Sequence, residues 1–310
     1  MVHALELHRC SMPLNCDAVE FCDDHARFLV ATYELDESSN SSREGSLSLF
    51  RTSQESFEKL SSIEAPAGVL DIKFFPTERD RFIAPLANGS VNVGRVTAED
   101  EIQLLSSSES IASDITLSVS SRGDDRVAAA YSSGSVREFR ITESVVKLLS
   151  CGKVHQHEAW AVLAMDDRTL SGGDDCTLRC SEGNGNRVMR RFDAGVTAIE
   201  RDLEENGILV GTYEDKIYKF DLRNIKQPLL EKNLGGGIWR IKKNPSSPRF
   251  LALAGMYAGA FIVERDTLEV CSTFKGHESM CYGVAWRDNQ RIVSCSFYDK
   301  LVVMWDTGIK

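Results

Sequence analysis

The feature that most limits what this chain can fold into is a turn residue followed by a short alternating strand, met seven times. The segments are Gly45-Ser-Leu-Ser-Leu-Phe50, Gly89-Ser-Val-Asn-Val-Gly94, Gly134-Ser-Val-Arg-Glu-Phe139, Cys176-Thr-Leu-Arg-Cys-Ser181, Asp215-Lys-Ile-Tyr-Lys-Phe220, Gly259-Ala-Phe-Ile-Val-Glu264 and Lys300-Leu-Val-Val-Met-Trp305. Their first residues lie 44, 45, 42, 39, 44 and 41 positions apart. A unit of this length supplies about four short strands, too few to bury a core alone, so neighbouring units must stack. The residue before each turn is Glu44, Asn88, Ser133, Asp175, Glu214, Ala258 or Asp299. Short polar side chains there can accept backbone N–H groups across a tight turn.

The period predicts an all-β fold, a seven-bladed β-propeller, and the seventh unit identifies its type. Gly276-His277, Asp299 and Trp305-Asp306 together make a full WD-repeat pattern. One domain over residues 1–310 is expected, with blades at approximately 11–56, 57–102, 103–150, 151–191, 192–231, 232–273 and 274–306. Five residues follow Trp305, so the seventh blade lacks a fourth strand, and the alternating segment 2–9 is expected to supply it and close the ring.

Composition narrows the function. With 42% apolar and 26% charged residues the chain reads as a soluble globular protein. A formal charge of −10 argues against nucleic-acid binding and suits a cationic partner. No apolar run reaches the roughly 18 residues of a membrane span, and the N-terminus lacks the basic start and apolar core of an export signal. The nine irregularly spaced cysteines then read as reduced thiols of a cytoplasmic protein. Cys176 and Cys180 have no second pair to complete a zinc pattern, and no cofactor or metal is expected. A monomer is expected.

The second residue of each innermost strand should face the mouth of the central channel: Asp17, Leu70, Thr116, Trp160, Thr197, Trp239 and Tyr282. Three large aromatics there either pack between blades or form part of a cage for a cation, with Glu158 and Asp174 nearby.

Four clusters go beyond a generic propeller. They are His155-Gln-His-Glu-Ala-Trp160 with Ser171-Gly-Gly-Asp-Asp175, Asn224-Ile-Lys-Gln-Pro228 with Gly235-Gly-Gly-Ile-Trp-Arg-Ile241, Tyr282-Gly-Val-Ala-Trp286, and Ser294-Cys-Ser-Phe-Tyr-Asp299. With these the chain resembles the diphthine methylesterase family, the WD-repeat proteins of diphthamide biosynthesis. The match is good from about residue 151 to 306 and thins to Gly68-Val-Leu-Asp-Ile-Lys73 in the first three blades. It departs at Ser181-Glu182, where the family has Trp-Asp, and the motif carries over His155, Glu158 and Trp160 but not His157. The resemblance implies hydrolysis of a carboxyl methyl ester on translation elongation factor 2 carrying methylated diphthine, whose side chain bears a quaternary ammonium. The product is diphthine.

Ester hydrolysis needs a nucleophile, a base and donors for the developing oxyanion. The sequence contains neither Gly-x-Ser-x-Gly nor His-Glu-x-x-His. His155 is the expected general base, oriented by Glu158 or Asp174, while His157 is expected to be a structural histidine paired with Asp175. A metal pair of the two histidines lacks an identifiable third ligand. Arg240 and the backbone of Gly235-Gly-Gly237 are candidates for the ester carbonyl, although the glycines equally suit a tight turn. Trp160, Asp174, Trp239, Tyr282 and Tyr298 form the expected substrate-binding set. Cys295, Ser296 or an activated water could be the nucleophile, and the residues do not choose. The rival reading is a non-catalytic WD-repeat adaptor that holds a protein partner.

Overall fold

A computed structural model describes residues 2–22, 25–35, 43–111, 113–142, 144–183 and 185–309. Its strands form seven sheets, six of four strands and one of five; five are built wholly from consecutive antiparallel neighbours, and the other two each take a strand from the N-terminal segment. The innermost strands are Cys16–Phe21, Lys73–Phe74, Thr116–Arg122, Ala159–Ala164, Val196–Arg201, Ile238–Lys243 and Cys281–Trp286. Blade 2 is the irregular one: an isolated bridge, Val69 to Leu86, continues its short inner strand. No helix among the described residues is long and apolar enough to cross a membrane.

The turn residues read from the sequence explain the regularity. Gly89, Gly134, Cys176, Asp215, Gly259 and Lys300 have φ of 78°, 81°, 60°, 62°, 89° and 55°. A left-handed residue opens the third strand of six blades, which glycine takes without strain and the other three take at some cost.

Blades 3, 4 and 7 are pinned by polar groups that tie the loop entering the blade to its second turn. In blade 7 the hydrogen bonds run as one directed chain. Trp305 Nε1 donates to Ser294 Oγ (3.0 Å), which lies 2.7 Å from His277 Nε2. On the other side of the ring His277 Nδ1 lies 2.7 Å from Ser296 Oγ, which donates to Asp299. The chain is complete with a neutral imidazole protonated on Nδ1. Burial holds His277 down at about 4, against the opposing pull of Asp299. Blade 3 builds the same tie without histidine, its Asp114 accepting from Ser132 Oγ, Ser133 N and Ser133 Oγ.

The ring is closed by its own N-terminal segment. Leu5–Ser11 pairs antiparallel with Leu301–Asp306 as the fourth strand of blade 7, from Leu5 opposite Asp306 to Ser11 opposite Leu301. The preceding pair, Val2–His3, does something else: it lies parallel to the outer strand of blade 6, Val2 opposite Ser272. The closing strand therefore runs two residues beyond the expected 2–9, and the segment latches two blades.

Two outcomes follow. Deleting residues 2–11 removes a ladder of backbone hydrogen bonds worth on the order of 5 kcal/mol and bares the edge of Leu301–Asp306. The melting temperature should fall by about 10 °C, and size-exclusion chromatography should detect self-association through the exposed edge. The His277→Ala variant should be less stable than the native chain above pH 6.5. That gap should narrow between pH 6.5 and about 4, because over this window the unfolded chain's imidazole takes up a proton that burial keeps off the native one. A gap constant with pH would contradict the neutral chain.

Candidate functional site

In an antiparallel blade the loop entering the first strand and the turn after the second strand lie at the same end. The residues that begin the innermost strands therefore ring the channel mouth on that face. In six blades the register slips at the second residue: Asp17, Leu117, Trp160, Thr197, Trp239 and Tyr282 have no partner in the ladder. A bulge re-aims the side chain it frees. Blade 3 departs from expectation here, because Thr116 is paired and fully buried while Leu117 takes the bulged place.

The aromatics meet. Trp160 and Trp239 ring centroids are 5.4 Å apart, and Trp239 stacks on Tyr282 at 4.8 Å. Thr197, the bulged residue between the two tryptophans, is small and donates to Ile238 O at 2.6 Å, leaving them room to touch. Tyr282 continues to Phe297 at 5.4 Å, and Phe297 to Tyr33 at 4.9 Å. The result is one partly exposed aromatic arc from blade 4 to blade 1.

Under the arc, Arg240 crosses the channel from blade 6. Its Nη1 donates to Trp239 O and its Nη2 to Leu70 O of blade 2, both at 3.1 Å. The same Nη2 lies 3.8 Å from Asp17 and 3.5 Å from Asp71. Two carboxylates thus share one guanidinium, and their environments push them apart. Burial lifts Asp17 to about 7 despite Arg240, and the charge of Asp71 adds to the rise. Burial acts on Asp71 as well, but Arg240, Lys73 and Lys242 outweigh it and hold its carboxyl below the ordinary range. Deeper, Lys242 pairs with Glu20, and Lys243 with Glu200 at 3.2 Å. Blade 7 has Gly283 and Ala285 at the corresponding positions, and both pack toward blade 1: a Cβ on Gly283 would collide with Cys295 Sγ and lie 3.0 Å from Val19 N. A chamber of about 60 Å³ remains, lined by Asp71, Lys73, Trp160, Glu200, Trp239 and Arg240.

Of the residues expected to act together, Trp160, Trp239, Tyr282 and Arg240 converge on the mouth. His155 does not. It is 1% exposed, with Nδ1 2.9 Å from Asp175 Oδ1 and Nε2 2.8 Å from Ser171 Oγ. Burial holds it below its ordinary value. It is the structural histidine of blade 4, the counterpart of His277, and no ring nitrogen is left for a substrate. The role expected of His157 belongs to His155, and His157 is exposed. Gly173 admits the ring, since a Cβ there would lie 2.7 Å from Nδ1. Asp175, not Glu158 or Asp174, orients the imidazole. Glu158 and Asp174 stand on the rim, joined through Asp174 N donating to Glu158 O at 2.8 Å, and Asp174 is exposed.

Neither protein nucleophile is available. Cys295 is fully buried with its thiol pushed well above the usual range by burial, and Ser296 is fully buried in the blade 7 chain. Gly236 and Gly237 serve close packing, because Cβ atoms would meet Gly255 O at 2.8 Å and Tyr213 O at 2.7 Å. Tyr298 is exposed and touches the arc edge-on through Phe297 at 5.0 Å.

The sequence places Asp17 at the channel mouth but points to no chemical role for it or for Asp71. Asp17 carries a signal, an acidic residue at the bulged position where the other bulged strands have Leu, Trp, Thr or Tyr; Asp71 precedes the inner strand of blade 2, and Arg240 is the charged residue after the bulge of blade 6.

Comparison with known proteins adds to this geometry. Residues 268–306 match the family model "WD domain, G-beta repeat". The chain is 32% identical to the diphthine methyltransferase of Schizosaccharomyces pombe, over 90% of either chain. It is 30% identical to a diphthine methyltransferase homolog of Dictyostelium discoideum, covering 93% of this chain and 95% of that one. With the diphthine methyltransferase of Saccharomyces cerevisiae it shares 27% identity over 89% and 92%. A chain in the crystal structure of the mitotic checkpoint complex superposes with a TM-score of 0.76 at 13% identity, over 97% of this chain and 91% of that one, a likeness of fold alone.

The carboxyl pair yields a stability test. Asp17 is raised from an unfolded value of about 3.9 to about 7, so its contribution is fully present below pH 4 and is lost as pH rises through 7. Asp17→Asn removes that loss while Asp71 still balances Arg240. The variant should match the native chain near pH 4 and exceed it by a few kcal/mol at pH 8, an order-of-magnitude figure. Equal melting temperatures at pH 8 would mean that Asp17 is not raised.

Proposed function

The chain belongs to the diphthine methyltransferase family, and from that premise we propose that it is a methylesterase. Its substrate in this reading is the carboxyl methyl ester of methylated diphthine on translation elongation factor 2, and its product is diphthine. One observation carries the choice of chemistry: an aromatic arc standing directly over a guanidinium shared by two carboxyl groups.

Each part has work to do. Aromatic faces attract a quaternary ammonium through their quadrupoles, by about 0.5–2 kcal/mol per contact, and Trp160, Trp239 and Tyr282 offer three adjoining rings. Arg240 has five donor hydrogens and gives two of them to carbonyls, so donors remain for an ester carbonyl and the negative charge that grows on it. The chamber of about 60 Å³ takes a few waters at ~15 Å³ each. A base operates best with a pKa near the working pH, and Asp17, at about 7, meets that requirement. In this mechanism water attacks the acyl carbon as the Asp17–Asp71 pair takes its proton. The acyl carbon–methoxy oxygen bond then breaks, and methanol leaves with the proton. His155 has no part beyond holding blade 4.

The test is mass spectrometry of elongation factor 2 carrying the methyl-esterified intermediate, before and after incubation with the purified chain. Loss of ~14 Da with release of methanol is the expected result. Activity should rise with pH through about 7, as Asp17 loses its proton. Arg240→Ala should lower kcat/KM by about 10²-fold or more, and a folded His155→Ala variant should retain the native pH profile. An unchanged mass with folded protein would assign the chain to the adaptor reading instead.

A further inference from the structure

Outside the arc, the same face carries side chains that the channel chemistry leaves unused. The three exposed tyrosines among the described residues, Tyr213, Tyr257 and Tyr298, stand on the second turns of consecutive blades 5, 6 and 7. They are 44%, 66% and 67% exposed, while Tyr33, Tyr131, Tyr218 and Tyr282 are all partly or wholly buried. The Tyr213 and Tyr257 hydroxyls are 3.3 Å apart, and Tyr298 joins the arc through Phe297. Between Tyr257 and Tyr298 runs a groove of about 540 Å³, lined also by Met280, Glu278 and Lys275.

Tyrosine supplies a large rigid contact at low entropy cost and is enriched where binding energy concentrates. Three of them in a row, continuous with a ligand-sized mouth, extend that mouth into a surface. Its charge is one-sided. Glu158, Asp174, Asp193, Glu214 and Glu278 occupy the turns and loops of blades 4, 5 and 7 on this face, and among the described residues none has a lysine or arginine within 4.0 Å. Lys275 is the cation beside them in the groove. The chamber is too narrow for a polypeptide, so a protein that inserts one side chain must lay its flanking chain across this face.

We infer that the face of blades 5–7 is a docking surface for a basic polypeptide segment, the stretch flanking the modified side chain of the substrate protein. The identity of that protein rests on the proposed esterase reading; the surface itself rests on the tyrosines, the groove and the charge.

The experiment is biolayer interferometry of the full chain against immobilised elongation factor 2 carrying the methyl-esterified intermediate, with ester cleavage followed in parallel. The combined variant Tyr213→Ala, Tyr257→Ala, Tyr298→Ala should fold, as the three side chains are exposed, and a melting curve checks it. Its Kd should rise by about tenfold or more. Native affinity should fall as salt rises, because screening weakens exposed charge pairs. Leu148→Ser, on the outer strand of blade 3, should leave Kd unchanged. Native Kd in the triple variant overturns the surface even if the ester is cleaved, and salt-independent affinity overturns its basic partner. Lost affinity without cleavage by either protein supports the surface and overturns the esterase. No binding by the native chain overturns both.

Discussion

The structure depends on one ladder of backbone hydrogen bonds, between Leu5–Ser11 and Leu301–Asp306. A ring of sheets has no edge only if its last blade meets its first, and here the two ends of the chain make that join. Leu7 and Cys10 on the closing strand pack against a core shared by blades 7 and 1, so the strand is fastened by side chains as well as by its ladder. Once the ring is closed, seven inner strands face one axis, and a residue at the same level of each strand is brought to the same height in the channel. The site is a consequence of that geometry, since it draws Asp17, Asp71, Trp160, Arg240 and Tyr282 from five different blades.

Within the ring, small residues matter as much as large ones. Thr197 leaves room for two tryptophans to touch, and Gly283 leaves room for Cys295 and for Val19 of blade 1. The cross-channel ion pairs then set a polar interior under an aromatic lip, so a ligand meets apolar faces first and charge second. Separating the two levels allows one end of a ligand to be held as a cation while the other is treated as an ester.

Much of this was legible in the sequence, and the limits have physical causes. The period and the turn residues were readable because a left-handed turn restricts residue choice locally, as at Gly89, Gly134 and Gly259. The ring of aromatics was readable because position along a strand fixes height. His155 was misjudged because two histidines stand two residues apart, and which of them meets Asp175 is decided by the path of the loop. With Ser181 where the family has tryptophan, blade 4 also lacks the indole that marks its counterpart in blade 7. The Asp17–Arg240–Asp71 contact joins residues 169 and 223 positions apart, across a channel whose width no local pattern encodes. Thr116 was off by one because a bulge shifts a strand's phase without changing its composition.

The latch made by the N-terminal segment has a bearing on how the molecule is made. The strand that closes the ring leaves the ribosome about 290 residues before its partner. At about 5–20 residues per second the closing strand waits roughly 15–60 s for residues 301–306. During that interval six blades can stack in order while a ready-made edge strand stands unpaired. Its charged residues Glu6 and Arg9 are of the kind that blunt an open strand edge. The order of synthesis therefore sets the order of assembly: the blades come first, the circle last, and the channel with its chemistry only at the final step.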